Sequence, residues 1–399
     1  MKKRNAKLIS LILATVMMLI CFALSASAVE NTNTIKSEKY EYTITNDNEK
    51  EIMLIRAYVL EVDENGTYVI PSEIDGYKVT SLHSEYLYEF RGYYGSEDKT
   101  AELNKIKELI IPEGIKEIDK PGYALEPSER AGFWGLKNLK VAVLPSTLKV
   151  VPQYMFADCK KLEKVTLPEG IKEIEKNVFY NCKALKSIKL PNSLTKIGKF
   201  AFKNCKGLKG KFKITKNVKA IGSGAFEYCS NLTGFRVAKS NKYFSEKGGV
   251  LFKLNKKGQK AILVSYLPSK KTENYKVPST VEEIYHYAFA GSKKLKKIIL
   301  PNSLEKIGKK AFMKSNVRSI EIPKSVSYVE DEAFLKSGKL KEIVILGEVE
   351  EVVEEVKDEN REKNFVFKEE VKLHGGDLLL IYENKNNEAL QADLELEFF

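Results

Sequence analysis

Four cysteines recur at nearly equal spacing, and thiol chemistry is the first possibility that the sequence raises. They follow one another at intervals of 23, 23 and 24 residues: Cys159, Cys182, Cys205 and Cys229. Zinc requires a tetrahedral ligand set, whereas equally spaced thiols on stacked segments form a line, so a metal site is not expected. Neighbouring rungs of such a stack are about 5 Å apart, so disulfides remain an alternative. The same position later in the chain holds Ser292, Ser315 and Ser337. This favours a small buried side chain, and therefore thiols, over disulfides.

Other side chains that could do catalysis do not converge. The histidines are His83, His286 and His374. They are widely separated in sequence, and nucleophilic catalysis by Ser or Cys requires a base within hydrogen-bond reach. Gly375-Gly376 precedes no helical pattern, so it indicates a turn rather than a phosphate-binding loop. We expect no catalytic residue, no cofactor and no metal. A hydrolase with its site in the 371–399 tail or the Tyr86–Tyr94 loop is the least favoured alternative.

Lysine is the residue type whose spacing suggests binding chemistry. One position, directly after the cysteine or serine, holds Lys160, Lys183, Lys206 and Lys293. A second position, after the first leucine of each repeat, holds Lys140, Lys186, Lys209, Lys296 and Lys341. If equivalent positions stack, these lysines form two basic columns that attract polyanions in a salt-dependent way. The alternative is that lysine is simply well solvated at turn positions.

Charge is unevenly distributed along the chain. Residues 101–346 carry a net charge of +26, whereas residues 29–100 carry −8 and residues 347–399 carry −10. A basic middle therefore lies between two acidic segments, which favours an anionic partner for the middle.

These positions belong to a repeat with a period of 23 residues. Three consecutive stretches align without gaps: LKVAVLPSTLKVVPQYMFADCKK from Leu139, LEKVTLPEGIKEIEKNVFYNCKA from Leu162 and LKSIKLPNSLTKIGKFAFKNCKG from Leu185. Their shared template is LxxIxLPxxLxxIxxxAFxxCxx. A fourth copy from Leu208 has one extra residue, and the pattern resumes with VPSTVEEIYHYAFAGSKK after an interruption. Self-similarity of this kind predicts a solenoid.

The template also predicts the structure of one coil. Alternating apolar residues before the proline predict a short strand, and the proline ends it because it has no N–H to donate. The Ala-Phe pair is expected to begin a helical turn. Stacking would place eight rings in one continuous column: Phe133, Phe156, Phe179, Phe202, Phe226, Phe289, Phe312 and Phe334. Each buried ring contributes about 2–3 kcal/mol, so neighbouring coils must stabilise one another.

The template LxxIxLPxxLxxIgxxAFxxC resembles the BspA-type leucine-rich repeat of bacterial surface proteins, over roughly residues 65–370. The interruption from Tyr243-Phe244 to Leu267-Pro268 is similar to a hairpin insertion of that family. The resemblance implies an α/β leucine-rich-repeat solenoid of right-handed coils, with short strands and one helical turn per ~23-residue repeat. It also implies export and a role as an adhesin toward matrix proteins or other cells.

The N-terminus predicts export through the Sec pathway. A basic start is followed by the apolar run Leu8–Leu24 and by Ala26-Ser27-Ala28, which suits signal peptidase. We expect cleavage after Ala28 and no membrane span thereafter. The predicted organisation is a signal peptide at 1–28, a β-rich N-terminal cap with a divergent first repeat at 29–100, the repeat array at 101–346 with a hairpin insertion at 239–274, a helix–strand C-terminal cap at 347–370 and a β tail at 371–399.

These observations favour a secreted or cell-surface binding protein of adhesin type. It would recognise a host matrix protein, a glycan or another cell through the repeat face. The alternative is a cell-envelope structural protein that the basic columns hold on an anionic wall polymer. The expected partner is an extracellular protein or anionic glycan; nucleic acid suits the charge but not the compartment.

Overall fold

The computed structural model describes residues 34–84, 86–87, 90, 99–119, 133–330, 332–346 and 378–381. The predicted signal peptide at 1–28 and the C-terminal cap at 347–370 lie outside the described residues, as does His374.

Each repeat forms one coil of a solenoid, and most coils have a short strand on each of two walls. In the coil that begins at Leu162, Lys164–Thr166 is the first strand, and only its central residue Val165 is buried. Pro168 follows this strand, and the second strand is Glu173–Ile174, with Ile174 buried. The apolar residues of the template therefore point into the coil from both walls.

The first strands of successive coils pair in parallel, and we call this wall the first ladder. Before the insertion it has two groups. The first contains β4 (Thr67–Val69), β7 (Glu108–Ile110), β9 (Val141–Val143) and β11 (Lys164–Thr166), and the second contains β14 (Gly210–Ile214) and β16 (Leu232–Val237). The coil from Leu185 has no strand on this wall, so β11 and β14 are not paired. After the insertion it contains β20 (Asn274–Lys276), β22 (Lys297–Ile299), β24 (Ser319–Ile322) and β26 (Glu342–Ile345). The strand β27 (Leu378–Ile381) pairs antiparallel with β26.

The second strands form the opposite wall, the second ladder. It contains β10 (Val150–Val151), β12 (Glu173–Ile174), β13 (Lys196–Ile197) and β15 (Ala220–Ile221), and later β21 (Glu283–Ile284), β23 (Lys306–Ile307) and β25 (Tyr328–Val329). Strand pairing is parallel within each of these two groups.

A mixed sheet of antiparallel and parallel strands precedes the array. Its strands are β1 (Thr34–Lys36), β2 (Tyr40–Asn46), β3 (Glu51–Ala57), β5 (Glu73–Ile74), β6 (Tyr77–Leu82) and β8 (Glu117–Ile118). The strand β3 pairs in parallel with β6, and β6 with β8, so this sheet runs directly into the coils.

The segment around Ala-Phe forms hydrogen-bonded turns, not the helical turn that the sequence predicts. Asn177 and Asn181, which flank Phe179, have φ angles of 59° and 62°. Residues in the left-handed region cannot continue a right-handed helix. Among the described residues the one α-helix is α1 (Thr100–Leu103). The right hand of the coils stays a prediction.

These turns form a third wall, which we call the turn ladder. The N–H groups of Asn177, Phe179 and Asn181 donate to carbonyls of the next coil at 3.0, 2.8 and 2.8 Å. The left-handed residues thus expose backbone donors to the neighbouring coil, and consecutive coils are bonded on all three walls.

The phenylalanine rings lie inside the coils and contact one another in two runs. Stacked contacts join Phe156, Phe179, Phe202 and Phe226, with centroid distances of 5.7, 5.3 and 5.8 Å. A second run joins Phe289, Phe312 and Phe334 at 5.0 and 5.3 Å. Phe133 is buried and contacts the ring of Tyr86 edge-on at 6.2 Å. Tyr266 begins the second run, 5.0 Å from Phe289, so a tyrosine of the insertion occupies the ring position between the runs.

The insertion is a three-stranded antiparallel meander. Its strands are β17 (Phe244–Lys247), β18 (Val250–Leu254) and β19 (Lys260–Ser265). The last strand pairs in parallel with β21, so it restarts the second ladder. The buried apolar residues separate into two clusters, and the insertion contributes side chains to both.

Candidate ligand-binding surface

The residues directly after the first leucine lie in register on successive coils, but one of the residues in this basic column is a carboxylate. The N–H groups of Glu163, Lys186 and Lys209 donate to the carbonyls of Lys140, Glu163 and Lys186, at 2.8, 3.3 and 3.4 Å. The four residues therefore lie on successive coils. The Lys186 ammonium forms an ion pair with Glu163, and this hydrogen bond lowers the pKa of the Glu163 carboxyl.

The same column continues after the insertion. The N–H groups of Lys296, Arg318 and Lys341 donate to the carbonyls of Glu273, Lys296 and Arg318, at 2.7, 2.9 and 2.8 Å. Lys296 Nζ lies 2.6 Å from Glu273 Oε1. Sequence reasoning missed Arg318, because its coil is one residue shorter and begins with valine instead of leucine. Here three basic residues follow one another without interruption.

The column after the cysteine or serine is exposed on the coils. The side chains of Lys160, Lys183, Lys206 and Lys293 all lie at the surface. Burial, and then the neighbouring ammonium of Lys314, lower the pKa of Lys293. Cations of adjacent coils are thus close enough to repel one another, which an anionic ligand would relieve.

A third ridge lies beside the second ladder and was not predicted. Lys149, Lys172, Thr195 and Lys219 are linked on successive coils, each N–H donating to the preceding carbonyl at 2.8 Å. The equivalent positions after the insertion are acidic, Glu282 and Glu305, and are linked in the same way at 2.8 Å. The position after the first apolar residue that follows the proline of the template carries this signal in the sequence. The ridge therefore changes from cationic to anionic across the insertion.

The cysteines are buried between coils, and none of the four described is in a disulfide. Their thiols donate to the carbonyl of the phenylalanine one coil earlier, at 3.3, 3.1, 2.9 and 3.0 Å along the series from Cys159 to Cys229. Ser337 donates to Phe312 O in the same way, at 2.6 Å. Burial raises the pKa of the Cys182 and Cys205 thiols, and that of Cys229 to about 12. These thiols are therefore suited to structure and not to nucleophilic chemistry.

His286 lies beside a carboxylate but not beside a nucleophile. Its Nδ1 is 2.9 Å from Glu330 Oε2 and accepts a hydrogen bond from the Lys309 N–H at 3.0 Å. Its side chain is 28% exposed, less than expected for a solvent-facing position. His83 lies in the first part of the chain, after β6, so the structure does not bring the two described histidines into one site.

The coils are joined differently at the insertion, in a region we call the joint, comprising residues 220–228 and 244–268. Gly224, Phe226 and Tyr228 occupy the positions whose N–H groups form the turn ladder elsewhere. None of these three N–H groups donates to another described residue. The strand β15 pairs only with β13, so the second ladder also stops there. Strand pairing in the first ladder does not cross the joint either, since β16 pairs only with β14 among the described strands and β20 begins a separate sheet.

A buried ion pair lies at the joint under aromatic rings. The side chain of Glu227 has no exposed surface, and its Oε2 is 2.8 Å from Lys203 Nζ. The Lys203 ammonium also lies 4.5 Å from the Phe200 ring centroid and 5.8 Å from those of Tyr228 and Tyr287. Burial raises the pKa of Glu227, while Lys203 acts in the opposite direction. The pair therefore links the last two coils before the insertion, and the contact of Lys203 with the Tyr287 ring reaches the first regular coil after it.

A cleft of about 230 Å³ opens between the second ladder and the insertion. The buried side chains of Ile221, Phe244 and Val264 line it. The exposed lysines Lys199 and Lys253 also contribute to its walls. This cleft combines an apolar interior with cationic groups at its edge.

Two kinds of feature are absent from the described residues. They contain no group of three or more His, Cys, Asp or Glu side chains arranged to hold a metal ion. They also contain no helix of the length and apolar character that crossing a membrane requires.

Solved structures with a similar fold are bacterial leucine-rich repeat proteins. A leucine-rich cell surface protein from Faecalibacterium prausnitzii A2-165 is 19% identical, with a TM-score of 0.54 over 78% of this chain and 88% of that one. A leucine-rich repeat protein from Eubacterium ventriosum ATCC 27560 is 22% identical, with a TM-score of 0.55 over 78% and 72%. The pneumococcal vaccine antigen PcpA is 20% identical, with a TM-score of 0.52 over 78% and 81%. At these identities the likeness shows the fold. No curated protein matches the chain.

The family model for the BspA type leucine-rich repeat region matches residues 129–248 and 264–375, in six copies. The gap between the two matched ranges, residues 249–263, lies within the meander of the insertion. Because the matched residues make up more than half of the sequence, the chain belongs to the BspA-type leucine-rich repeat family.

Proposed function

We propose that this protein is an exported, cell-surface binding protein of adhesin type. It recognises an anionic glycan or an acidic surface of an extracellular protein through the basic columns of its coils. The observation that carries this proposal is the register of the columns, in which Lys186 and Lys209 lie on consecutive coils and expose their ammonium groups. A repeated cationic array of this kind suits a polymer that repeats its own negative charge.

Two sets of charge reversals test the proposal. The first converts Lys183, Lys206 and Lys209 to Glu, in the two predicted columns. The matched control converts Lys149, Lys172 and Lys219 to Glu, on the third ridge. Both sets change the net charge by the same amount, and all six lysines are exposed.

Binding of the full chain is measured on arrays of matrix proteins and of sulfated glycans, heparin among them, at several salt concentrations. We expect the first set to weaken binding by at least about tenfold, and wild-type binding to fall as salt rises. An equal loss with both sets would mean that only net charge matters, and the columns would have no specific role. Absence of wild-type binding on both arrays would remove the proposal.

Retention on the cell's own wall is a second candidate, which the net charge of +26 over residues 101–346 favours. An anionic wall polymer would occupy the same columns. A wash of intact cells with concentrated salt separates the candidates, because wall retention predicts release of the protein into the wash.

A further inference from the structure

The second ladder ends at an unpaired strand edge. Along this ladder, the N–H groups of Gly198 and Gly222 donate to the carbonyls of Ile174 and Ile197, at 2.7 and 2.8 Å. The next acceptor in the series is the carbonyl of Ile221. It accepts no backbone hydrogen bond from the described residues, because β15 is the edge of its sheet. Such an edge is a template for another extended chain.

The cleft beside this edge has the size of one side chain. Its volume of about 230 Å³ is below the roughly 300–1,000 Å³ of pockets that enclose small-molecule ligands. Ile221, Phe244 and Val264 make its interior apolar, and the half-buried ring of Tyr285 forms another part of the wall. A single aliphatic or aromatic side chain would be desolvated there.

The charged residues at the mouth of the cleft determine which groups of the ligand can lie beside the side chain that fills it. Lys196 is already paired, since its Nζ lies 2.6 Å from Glu173 Oε1. In the described part of the chain, Lys199 and Lys253 take part in no ion pair, and both are exposed. The Lys199 ammonium lies 5.1 Å from the centroid of the Phe200 ring, so its contact there is with an aromatic ring and not with a carboxylate. Both cations favour carboxylates beside the apolar side chain that fills the cleft.

We propose that the joint binds an extended acidic segment of a partner protein, which adds as a strand at the edge of β15. Its main chain pairs with the Ile221 peptide groups, one apolar side chain enters the cleft, and flanking carboxylates contact Lys199 and Lys253. A glycan has no peptide groups to pair with a strand edge, so the edge favours a peptide. The inference rests on the proposed binding function and names one partner class and one site for it.

The test uses a fluorescent synthetic peptide of sequence Glu-Val-Glu-Leu-Glu-Val-Glu and the full chain, with fluorescence anisotropy as the readout. Ala220 is exposed at the wall of the cleft, so Ala220→Trp fills the cleft without disturbing the core. We expect Ala220→Trp, and separately the double variant Lys199→Glu with Lys253→Glu, to weaken binding at least about tenfold. The control Lys164→Glu changes an equally exposed lysine on the first ladder and should leave affinity within about twofold.

Two altered probes separate the three contributions. A peptide with N-methylated bonds on both sides of the central leucine cannot pair as a strand, and a peptide with lysine in place of glutamate reverses the charge. Both should bind at least about tenfold more weakly than the parent. Equal binding of the N-methylated peptide, unchanged binding by Ala220→Trp, or no binding of the parent peptide to wild type would each overturn the proposal. If wild type binds heparin or a matrix protein but not the parent peptide, the proposed function stands while the cleft proposal falls.

Discussion

The regular coils and the joint use the same template but differ in how each coil is held. Between Phe156 and Phe226 every coil is bonded to the next on three walls, and the rings stack at 5.3–5.8 Å. At the joint the turn ladder and the second ladder both stop. A solenoid distributes its stability over neighbouring repeats. The joint instead brings unpaired backbone, a buried charge and an open cleft together in one place.

The two regions also divide the surface charge. The ridge beside the second ladder is basic before the joint, at Lys149, Lys172 and Lys219, and acidic after it, at Glu282 and Glu305. A ligand that spans the joint therefore meets charges of opposite sign on its two sides. The joint is therefore asymmetric in charge, whereas the regular coils on either side of it are not.

Removal of a ring from the regular stack should have the largest effect. Phe202 is fully buried and contacts the rings of Phe179, Phe226 and Phe212. We expect Phe202→Ala to lower the free energy of unfolding by about 3–5 kcal/mol, because the coil cannot close around the cavity. Denaturant unfolding measures this loss.

The same variant tests whether the joint separates the two clusters of buried residues. Hydrogen exchange with mass spectrometry should show most of the lost protection at residues 133–230 and less at residues 274–345, because few hydrogen bonds cross the joint. Equal loss in both segments would show that the joint transmits stability as well as the regular coils do.

Loss of the buried ion pair at the joint should cause the second-largest loss in the free energy of unfolding. Lys203→Met leaves Glu227 without its cation, and the removal of one partner from a buried pair costs about 3–5 kcal/mol. The Lys203 side chain keeps 21% of its surface exposed, so solvent reduces the expected loss to about 2–3 kcal/mol.

This loss should depend on pH. Burial already raises the pKa of Glu227, so the folded protein binds this proton more tightly than the unfolded chain does. Binding of this proton stabilises the folded state fully at pH values below the ordinary carboxyl pKa. This stabilisation is lost as the pH rises through the raised pKa of Glu227 in the folded state. Without Lys203 the pKa rises further, so the destabilisation should be smaller near pH 4 than near pH 7. Unfolding at both pH values, with Lys164→Met as the control, measures the difference; a pH-independent loss would contradict it.

The regular coils could be predicted from the sequence because their determinants are local and repeated. The 23-residue period placed Lys186 and Lys209 on consecutive coils, and it placed the cysteines in small buried positions. The turn geometry was predicted wrongly, although Asp158, Asn181 and Asn204 carried a signal. Asp and Asn adopt the left-handed conformation more readily than most residues. All three have φ angles near 60°.

The joint could not be predicted, because its features depend on contacts between distant parts of the chain. Phe200 and Tyr287 are 5.1 Å apart although an entire insertion separates them in sequence. Glu227 occupies a position that varies between repeats, so the template gives no reason to expect a buried carboxylate there. The cleft arises from the end of one ladder and the start of another. The interruption of the repeat marks this region in the sequence, but it does not show that a cleft lies between the two ends.

The overlap of a methyl group with an aromatic ring at the joint should cost less than loss of the ion pair. Gly224 has a φ of 62°, and a Cβ on it would overlap the Phe200 ring. Gly258 has a φ of 76° with nothing near its Cβ position, so Gly258→Ala measures the backbone strain alone, about 1–2 kcal/mol. Gly224→Ala should cost about 1 kcal/mol more, because the ring must move. Denaturant unfolding of both variants measures the difference. Equal losses would show that the Phe200 ring moves aside at no cost in stability.

The smallest effect should come from Cys205→Ser in the regular stack. Ser337 already donates to a phenylalanine carbonyl from the equivalent position, so a hydroxyl at 205 can replace the thiol bond to Phe179 O. We expect a loss below about 1 kcal/mol, whereas Cys205→Ala leaves that carbonyl without its donor and should cost about 1–2 kcal/mol. Denaturant unfolding ranks the two variants. The reverse order would mean that the position selects apolar character over a donor, and that the later serines are tolerated despite their hydroxyls.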